Sequence, residues 1–337
     1  MEIKENFDLT QLNTFGVKAQ ARYFTEIKNE AEIPELFTSP IFKNNPKLFL
    51  GGGSNLLFTR DFPGIVVQDK LKGVEITEEH SEYVLVRAMG GEVWHDLVLF
   101  AVGHGWWGIE NLSSIPGSVG AAPVQNIGAY GAELGDVLYS VEAYKIETLA
   151  KEIFTNGSYK GGYRESIFKN ELKNKYFITA ITIKLSTIPK PNLKYKSLRE
   201  YLEKSGASNP SLKEVSAAVT EIRKEKLPDP KIIANAGSFF KNVFVSDEKL
   251  AELLKNYPSM PFFKDDKGIK VPAAWLVEEC GWKGKRKNGA GVYEKHALVL
   301  VNHGGATGPE IKELAEAIAD SVKKKFGLTL TPEVNLI

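Results

Sequence analysis

Cysteine is nearly missing from this chain: Cys280 is the only one in 337 residues. A lone thiol excludes a disulfide framework and a cysteine-based zinc site, and nothing else in the chain suggests a metal centre. Net charge is nearly missing too, with 43 Lys and Arg against 42 Asp and Glu. Duplex binding needs a basic face, so the balance argues against a nucleic-acid partner. A local basic pocket for a phosphorylated small molecule stays compatible with it. Long apolar runs are absent. The most apolar stretch, Leu97 to Val102, is cut by Gly103 and His104 and is far too short to span a bilayer. The opening residues Met1-Glu2-Ile3-Lys4-Glu5 carry acids and no apolar signal core, so a reducing cytoplasm is the expected compartment.

What is present is an ordinary globular composition, 43% hydrophobic and 25% charged, long enough for two or three packed units. Strand-like runs and glycine turns dominate the first half. Lys47–Leu50, Gly64–Val67, Tyr83–Ala88 and the alternating, β-branched Tyr176–Leu185 read as strands. Glu92 to Val102 reads as a helix with Val93, Leu97, Phe100 and Ala101 on one face. Pro189-Lys190-Pro191 signals a boundary. Beyond it, Leu212–Lys226 is helical, with Leu212, Val215, Val219 and Ile222 on one side and Leu227-Pro228-Asp229-Pro230 as its stop. Ser246 caps a helix running through Leu254, and Leu298–Val301 is a strand. Pro309 opens the clearest helix, striped by Ile311, Leu314, Ala315, Ile318, Val322 and Phe326 and closed by Gly327. The expected class is α+β. The expected domains are 1–205, in two lobes of about 1–68 and 69–205, then 206–330, then a C-terminal segment 331–337 that returns to the active site.

Three stretches carry the chemistry. Gly51-Gly52-Gly53-Ser54-Asn55 follows a strand, where glycines let the backbone approach a ligand and consecutive N–H groups hold phosphate oxygens. Its spacing is neither the G-x-G-x-x-G of a dinucleotide turn nor a P-loop, and taken alone it reads equally well as a tight turn. The run from Ile115 to Gly131 is long, small-residued and rich in amides, suited to lie along an extended ligand. Asn235 to Asn242 places one hydroxyl, one ammonium and one amide within eight residues. Gly162-Tyr163-Arg164, Lys226-Leu227-Pro228 and Thr331-Pro332-Glu333-Val334 hold further charge; each by itself is more commonly a surface turn or ion pair.

In this order, from Asn13-Thr14-Phe15-Gly16 to Pro332-Glu333-Val334, these motifs closely resemble the UDP-N-acetylenolpyruvoylglucosamine reductases over nearly the whole chain. The resemblance implies an FAD-binding domain of the vanillyl-alcohol-oxidase (PCMH) type followed by a smaller α+β substrate-binding domain. It implies reduction of UDP-N-acetylglucosamine enolpyruvate to UDP-N-acetylmuramate, with NADPH as hydride donor and FAD held non-covalently. By the same resemblance, FAD is held by Gly51, Gly52, Gly53, Ser54 and Asn55. Ile115, Pro116, Gly117, Ser118, Gly120 and Ala121 join them, as do Gln125, Asn126, Ile127, Gly128, Ala129, Tyr130 and Gly131, with Ile178 and Arg223. Ser238 is implied to give the proton to the carbanionic carbon, with Arg164 and Glu333 assisting at the enolpyruvyl group. Lys226, Asn242, Lys270 and His296 are implied to bind the nucleotide sugar. Tyr195, in Leu193-Lys194-Tyr195-Lys196-Ser197-Leu198, matches the tyrosine loop of the subclass that closes over UDP.

The residue types suit that chemistry. Hydride addition to an enol ether acid builds negative charge on the α-carbon and carboxylate, which a cation such as Arg164 stabilises. Serine is a poor acid unless a neighbour stabilises its alkoxide, and Lys226 and Arg164 are both candidates. Three positions depart from the family pattern: Asn335 stands where a relative has arginine, Phe262 near a substrate-contacting tyrosine, and His296 near a glutamine. Two other readings compete. One is an oxidase of the same flavin fold, for which the nearby histidines, His95 and His104, would be the tethers to consider. The other is a nucleotide-sugar binder without catalysis, which would need no long flavin loop. A monomer is expected.

Overall fold

A computed structural model describes residues 1–265 and 268–337 and places them in two units. The first comprises Met1–Phe7, Ala21–Gly53 and Phe62–Glu225; the second comprises Asp8–Gln20, Ser54–Asp61 and Lys226–Ile337.

The first unit holds two sheets. One has the order Lys4–Asp8, Gln20–Ile27, Phe62–Asp69, Lys47–Leu50, and the last two strands both run parallel to their neighbours in the register. Parallel strands need a crossover. Here it is made by the short helices Glu32–Thr38 and Pro40–Asn44, the second capped by the Ser39 hydroxyl. They bury Ile33, Leu36, Phe37 and Phe42 against Ile27, Ile65 and Val67. The other sheet is antiparallel, ordered Lys151–Thr155, Leu138–Lys145, Tyr176–Ser186, Tyr83–Met89, Val74–Glu79.

Tyr176–Ser186 is the middle strand, and residues 177 to 183 are all buried. The sequence reads as alternating, yet Lys184 alone on the strand is exposed. Ile181, Ile183 and Leu185 supply the core of the five-stranded sheet, while Phe177 packs among Phe37 and Phe49 of the other lobe.

The helix expected over Glu92–Val102 spans Trp94–Gly103 and buries Trp94, Leu97, Val98, Ala101 and Val102. Val93 is exposed, because it bridges Ser118 as extended chain and lies outside the helix. The buried stripe is therefore shifted from the expected one. Leu212–Lys226 forms as expected and buries Leu212, Val215, Val219 and Ile222, but in the core of the first unit. The expected boundary lies at 205/206, whereas by contact the units part after Glu225. The physical reason is burial. Each of these aliphatic side chains gains about 1.5–3 kcal/mol by leaving water, and the exposed flank of the antiparallel sheet core is where they do so. Pro189-Lys190-Pro191 therefore marks an irregular connection inside the first unit.

The second unit is built on a four-stranded antiparallel sheet ordered Ala234–Ser238, Val299–Asn302, Ala290–Val292, Arg286–Lys287. A three-stranded sheet ordered Val243–Val245, Gly268–Val271, Phe263–Asp265 accompanies it. Helix Gly308–Phe326 has a capping box between Thr307 and Glu310, and Gly327 closes it in the left-handed conformation. Its expected apolar stripe is buried throughout. Ser246 caps Asp247–Asn256 by accepting the Lys249 N–H. Residues 8–20 join this unit through hydrogen bonds: Asn235 N–H donates to the Thr14 carbonyl at 2.9 Å, and Asn302 Nδ2 to that of Phe15 at 2.9 Å. Among the described residues no helix is long and apolar enough to cross a membrane.

Candidate active site

In the first unit the glycine-rich turn and the long loop lie against each other. A Cβ placed on Gly51 would stand 2.2 Å from Ser118 Oγ, and one on Gly52 3.0 Å from Gly117 Cα. Only glycine allows two backbones to come this close. The Ser118 hydroxyl is buried and has no hydrogen-bond partner among the described residues. A buried donor left unpaired costs about 1–3 kcal/mol, so a site that keeps one is built to receive an acceptor. A phosphate oxygen is such an acceptor, and the glycine-lined cradle with an orphaned hydroxyl fits the pyrophosphate of FAD.

The loop is not irregular along its whole length. Val119–Gln125 forms a 3₁₀ helix with Pro123 inside it, and Gly128–Ala129 pairs with Ala132–Glu133 as a small hairpin. Its start is clamped to the residues after the Tyr83–Met89 strand. Trp94 N–H donates to the Gly117 carbonyl at 3.0 Å, Val119 N–H to that of Glu92 at 2.8 Å, and Gly120 N–H to that of Gly90 at 2.8 Å. Asn126 holds its middle: Nδ2 donates to the Gly162 carbonyl at 2.9 Å, while Oδ1 accepts from Gly135 N–H. Ile127 is buried, and Ile178 lies on the central strand opposite Ala143.

Charge gathers near the hairpin. Arg164, in the left-handed conformation at φ 56°, donates from Nη2 to the Gly128 carbonyl at 2.9 Å. Arg223 donates from Nε to the Ser114 carbonyl at 3.2 Å. Burial lowers the Arg223 guanidinium, with Tyr130 opposing that shift and Arg164 adding to it. Burial pushes the Tyr130 phenol up to about 12, against the pull of Arg223. Tyr195 is half-exposed and meets Tyr130 edge-on, with ring centroids 5.3 Å apart. It also lies beside Gly131, whose carbonyl accepts from Asn192 Nδ2. The structure thus brings Tyr130, Arg164, Tyr195 and Arg223 to one loop and its surroundings.

In the second unit Ser238 ends the Ala234–Ser238 strand opposite Val299, after a break in register. Gly237 makes that break at φ 71°, and its N–H donates to Asn235 Oδ1 at 2.9 Å. Phe239 and Phe240 follow as buried anchors. Glu333 is held beside them: its N–H donates to the Phe239 carbonyl at 2.7 Å, and Lys241 N–H donates to that of Thr331 at 2.9 Å. Asn55 Nδ2 donates to the Glu333 carbonyl at 3.3 Å, and Asn335 donates from both its N–H and Nδ2 to the Asn55 carbonyl. Asn335 therefore positions the turn that Ser54 and Asn55 belong to. Asn242 Oδ1 accepts from Ala273 N–H at 3.0 Å, and Lys270 sits between Phe244 and Phe263 in the three-stranded register. His296 accepts the Leu298 N–H on Nδ1 at 3.2 Å. Burial, then Lys226 and Lys283, hold its imidazole below the usual histidine range, so it is neutral with a hydrogen on Nε2. Phe262 is exposed.

The sequence reading missed residues that support the loop from behind. Asn111 Nδ2 donates to the carbonyls of Tyr130 and Asn192 at 2.8 and 2.9 Å. Tyr159 and Ser166 donate from their hydroxyls to the carbonyls of Pro123 and Val124, both at 2.7 Å. Asp69 lies beneath Gly90 and Gly120.

Family comparisons agree with this geometry. Residues 21–147 match the FAD binding domain family, and residues 229–337 match the C-terminal domain of UDP-N-acetylenolpyruvoylglucosamine reductase. The class is thus a two-domain α+β flavoprotein whose FAD-binding domain is of the PCMH type. The chain is 44% identical over 339 residues to the UDP-N-acetylenolpyruvoylglucosamine reductase of Flavobacterium johnsoniae, covering 100% of both. It is 42% identical over 335 residues to that of Chromobacterium violaceum, covering 99% of this chain and 98% of the relative. The chain belongs to the UDP-N-acetylenolpyruvoylglucosamine reductase family. Two solved structures share the fold. The crystal structure of the reductase (MurB) from Thermus caldophilus has a TM-score of 0.69 at 22% identity and covers 99% of this chain and 98% of its own. A solvent-stable cholesterol oxidase has a TM-score of 0.52 at 11% identity, with 98% and 86% covered.

Proposed function

We propose that this chain reduces the enolpyruvyl double bond of UDP-N-acetylglucosamine enolpyruvate to the lactyl ether of UDP-N-acetylmuramate, a step in peptidoglycan precursor synthesis, with NADPH as reductant. The observation that carries this reading is full-length identity of 44% to a reductase of that name. The glycine-lined cradle with its orphaned Ser118 hydroxyl supports it independently.

When bound, FAD would supply the hydride chemistry that links NADPH to the substrate's β-carbon. The chain's own residues bind, orient and protonate. Gly51, Gly52, Gly53 and Ser118 hold the pyrophosphate, with Ser54 and Asn55 following in the same turn. The loop from Ile115 to Gly131 lines the cofactor, with Ile178 and Arg223 completing the bed. The substrate carboxylate gains negative charge as the β-carbon accepts hydride, and Arg164 is the cation that stabilises it. Ser238 gives its hydroxyl proton to the α-carbon, so that the alkene gains one hydride and one proton in all. Glu333, held by backbone bonding to Phe239, assists at the same centre. Lys226, Asn242 and Lys270 bind the nucleotide sugar, with His296 donating from Nε2 in place of an amide. Tyr195 closes over the UDP part, as in the tyrosine-loop subclass.

The same reading assigns a cytoplasmic location, since the reactants are charged and do not cross a bilayer unaided. The test is spectroscopic. Purified protein should show a flavin spectrum that bleaches on anaerobic addition of NADPH and returns on addition of the enolpyruvyl substrate. A colourless protein that binds UDP-sugar would favour a non-catalytic binder, and a flavin bleached anaerobically by a simple alcohol or sugar but not by NADPH would favour an oxidase-type enzyme.

A further inference from the structure

Asp69 is a buried carboxyl that the proposed chemistry does not use. It ends the Phe62–Asp69 strand and is 8% exposed. Oδ1 accepts one hydrogen bond, from Leu71 N–H at 3.0 Å. Oδ2 has no hydrogen-bond partner among the described residues and is wedged under two glycines. A Cβ on Gly90 would stand 2.1 Å from it, and one on Gly120 3.0 Å. Gly120 donates its N–H to the Gly90 carbonyl, so the carboxyl underlies the clamp that fixes the start of the cofactor loop. Two residues before Gly120 stands Ser118, whose unpartnered hydroxyl faces Gly51.

Charged groups around Asp69 are few. Lys72 acts on it electrostatically from the same turn, but its ammonium is 3.2 Å from Glu92 Oε2 on the next turn. The strand side, with Ile178 and Thr179, and the loop side, from Gly117 to Ala121, carry no charge. Burial therefore outweighs the Leu71 hydrogen bond and pushes the Asp69 carboxyl up to about 7. Near neutral pH both protonation states are accessible.

We propose that Asp69 is a positioning residue for the cofactor loop and takes up one proton when the pyrophosphate of FAD settles against Gly51, Gly52 and Ser118. The inference rests on the reading that this loop holds FAD. A pyrophosphate held by Gly51, Gly52 and Ser118 would bring negative charge to the loop whose start Asp69 underlies, and a like charge disfavours the ionised carboxyl. With Asp69 protonated, the loop above it meets no opposing charge. By linkage, a site that gains a proton on binding loses affinity as pH rises through the free protein's titration range.

The test is calorimetric titration of deflavinated full-length protein with FAD at pH 6.5, 7.5 and 8.5, each in two buffers of different ionisation enthalpy. Wild type should take up close to one proton at pH 8.5, and its affinity should fall about 25-fold from pH 6.5 to pH 8.5. Asp69→Asn keeps the acceptor for Leu71 N–H and should lose both the proton uptake and the pH dependence. Unchanged uptake and slope in Asp69→Asn overturns the inference while leaving the flavin reading intact. Failure of both chains to bind FAD at pH 6.5 overturns the two together. Should Asp69→Asn fail to fold, infrared spectra of wild type at pH 8.5 decide the matter. The band of a buried protonated carboxylic acid should appear on addition of FAD, and its absence overturns the inference.

Discussion

The backbone N–H of Glu333 donates to the carbonyl of Phe239 at 2.7 Å, so a carboxylate near the end of the chain is held one residue away from the Ser238 hydroxyl. Phe240 bridges Pro332 in the same antiparallel pairing. A backbone rung fixes the relative position of two side chains without depending on either side chain. Replacing Ser238 or Glu333 therefore leaves the frame in place, and effects on chemistry can be separated from effects on folding.

Ser238→Ala should bleach normally with NADPH, because that half-reaction needs no proton from the serine. Reoxidation by the enolpyruvyl substrate should slow by about 100- to 10,000-fold, the usual cost of losing a positioned general acid. Stopped-flow absorbance of the two half-reactions measures this. Equal slowing of both would mean damaged flavin binding, and unaltered reoxidation would remove Ser238 from the proton-donor role.

Tyr195→Ala should raise KM and leave kcat nearly unchanged. The ring is half-exposed and touches Tyr130 at the rim of the loop, where it can contribute to binding without reaching the reacting carbons. Steady-state kinetics with varied UDP-substrate gives the answer. A drop in kcat at constant KM would place Tyr195 in the chemical step.

FAD should be released by acid precipitation at about one per chain, as a single non-covalent site implies. Cys280 is the only cysteine and lies in the second unit. Near the loop, His95 Nδ1 already accepts the Ser114 N–H at 3.1 Å. Absorbance of the supernatant against the pellet is the measurement, and flavin retained by the pellet would show a covalent link.

Glu142→Gln should destabilise the first unit by about 2 kcal/mol at neutral pH, discounted for partial solvent screening. Arg87 donates to both Glu142 oxygens, through Nε and, at 2.8 Å, through Nη2, while Lys151 lies 2.9 Å from Oε2. The Arg87 hydrogen bonds, against burial and with Lys151 assisting, hold the Glu142 carboxyl down at about 2, from 4.5. For a depressed carboxyl, the stabilisation is complete above the unfolded value and is lost as pH falls from about 4.5 toward 2. Urea midpoints of wild type and variant should therefore differ at pH 7, draw together below about pH 4.5 and converge near pH 2. A difference that stays constant with pH would contradict the ion-pair account.

Local pattern and tertiary structure divided the determination of this molecule between them. The limits of Lys47–Leu50 and Leu212–Lys226, the Ser246 cap and the Gly327 stop follow from propensity and patterning that a few neighbouring residues express. The order of Gly51–Asn55, Ile115–Gly131 and Asn235–Asn242 likewise carried the resemblance to the family in the sequence itself. Three features depended on tertiary packing. The Leu212–Lys226 helix carries the same apolar stripe whichever core receives it, and only packing assigned it to the first unit. Tyr176–Ser186 reads as a one-sided strand, yet two cores meet across it. Asp69 looks like any acid at a strand end until the fold lays Gly90 and Gly120 over it and buries most of it. Burial depends on contacts between residues far apart in sequence, so local pattern determined which elements form and tertiary structure decided what each one covers.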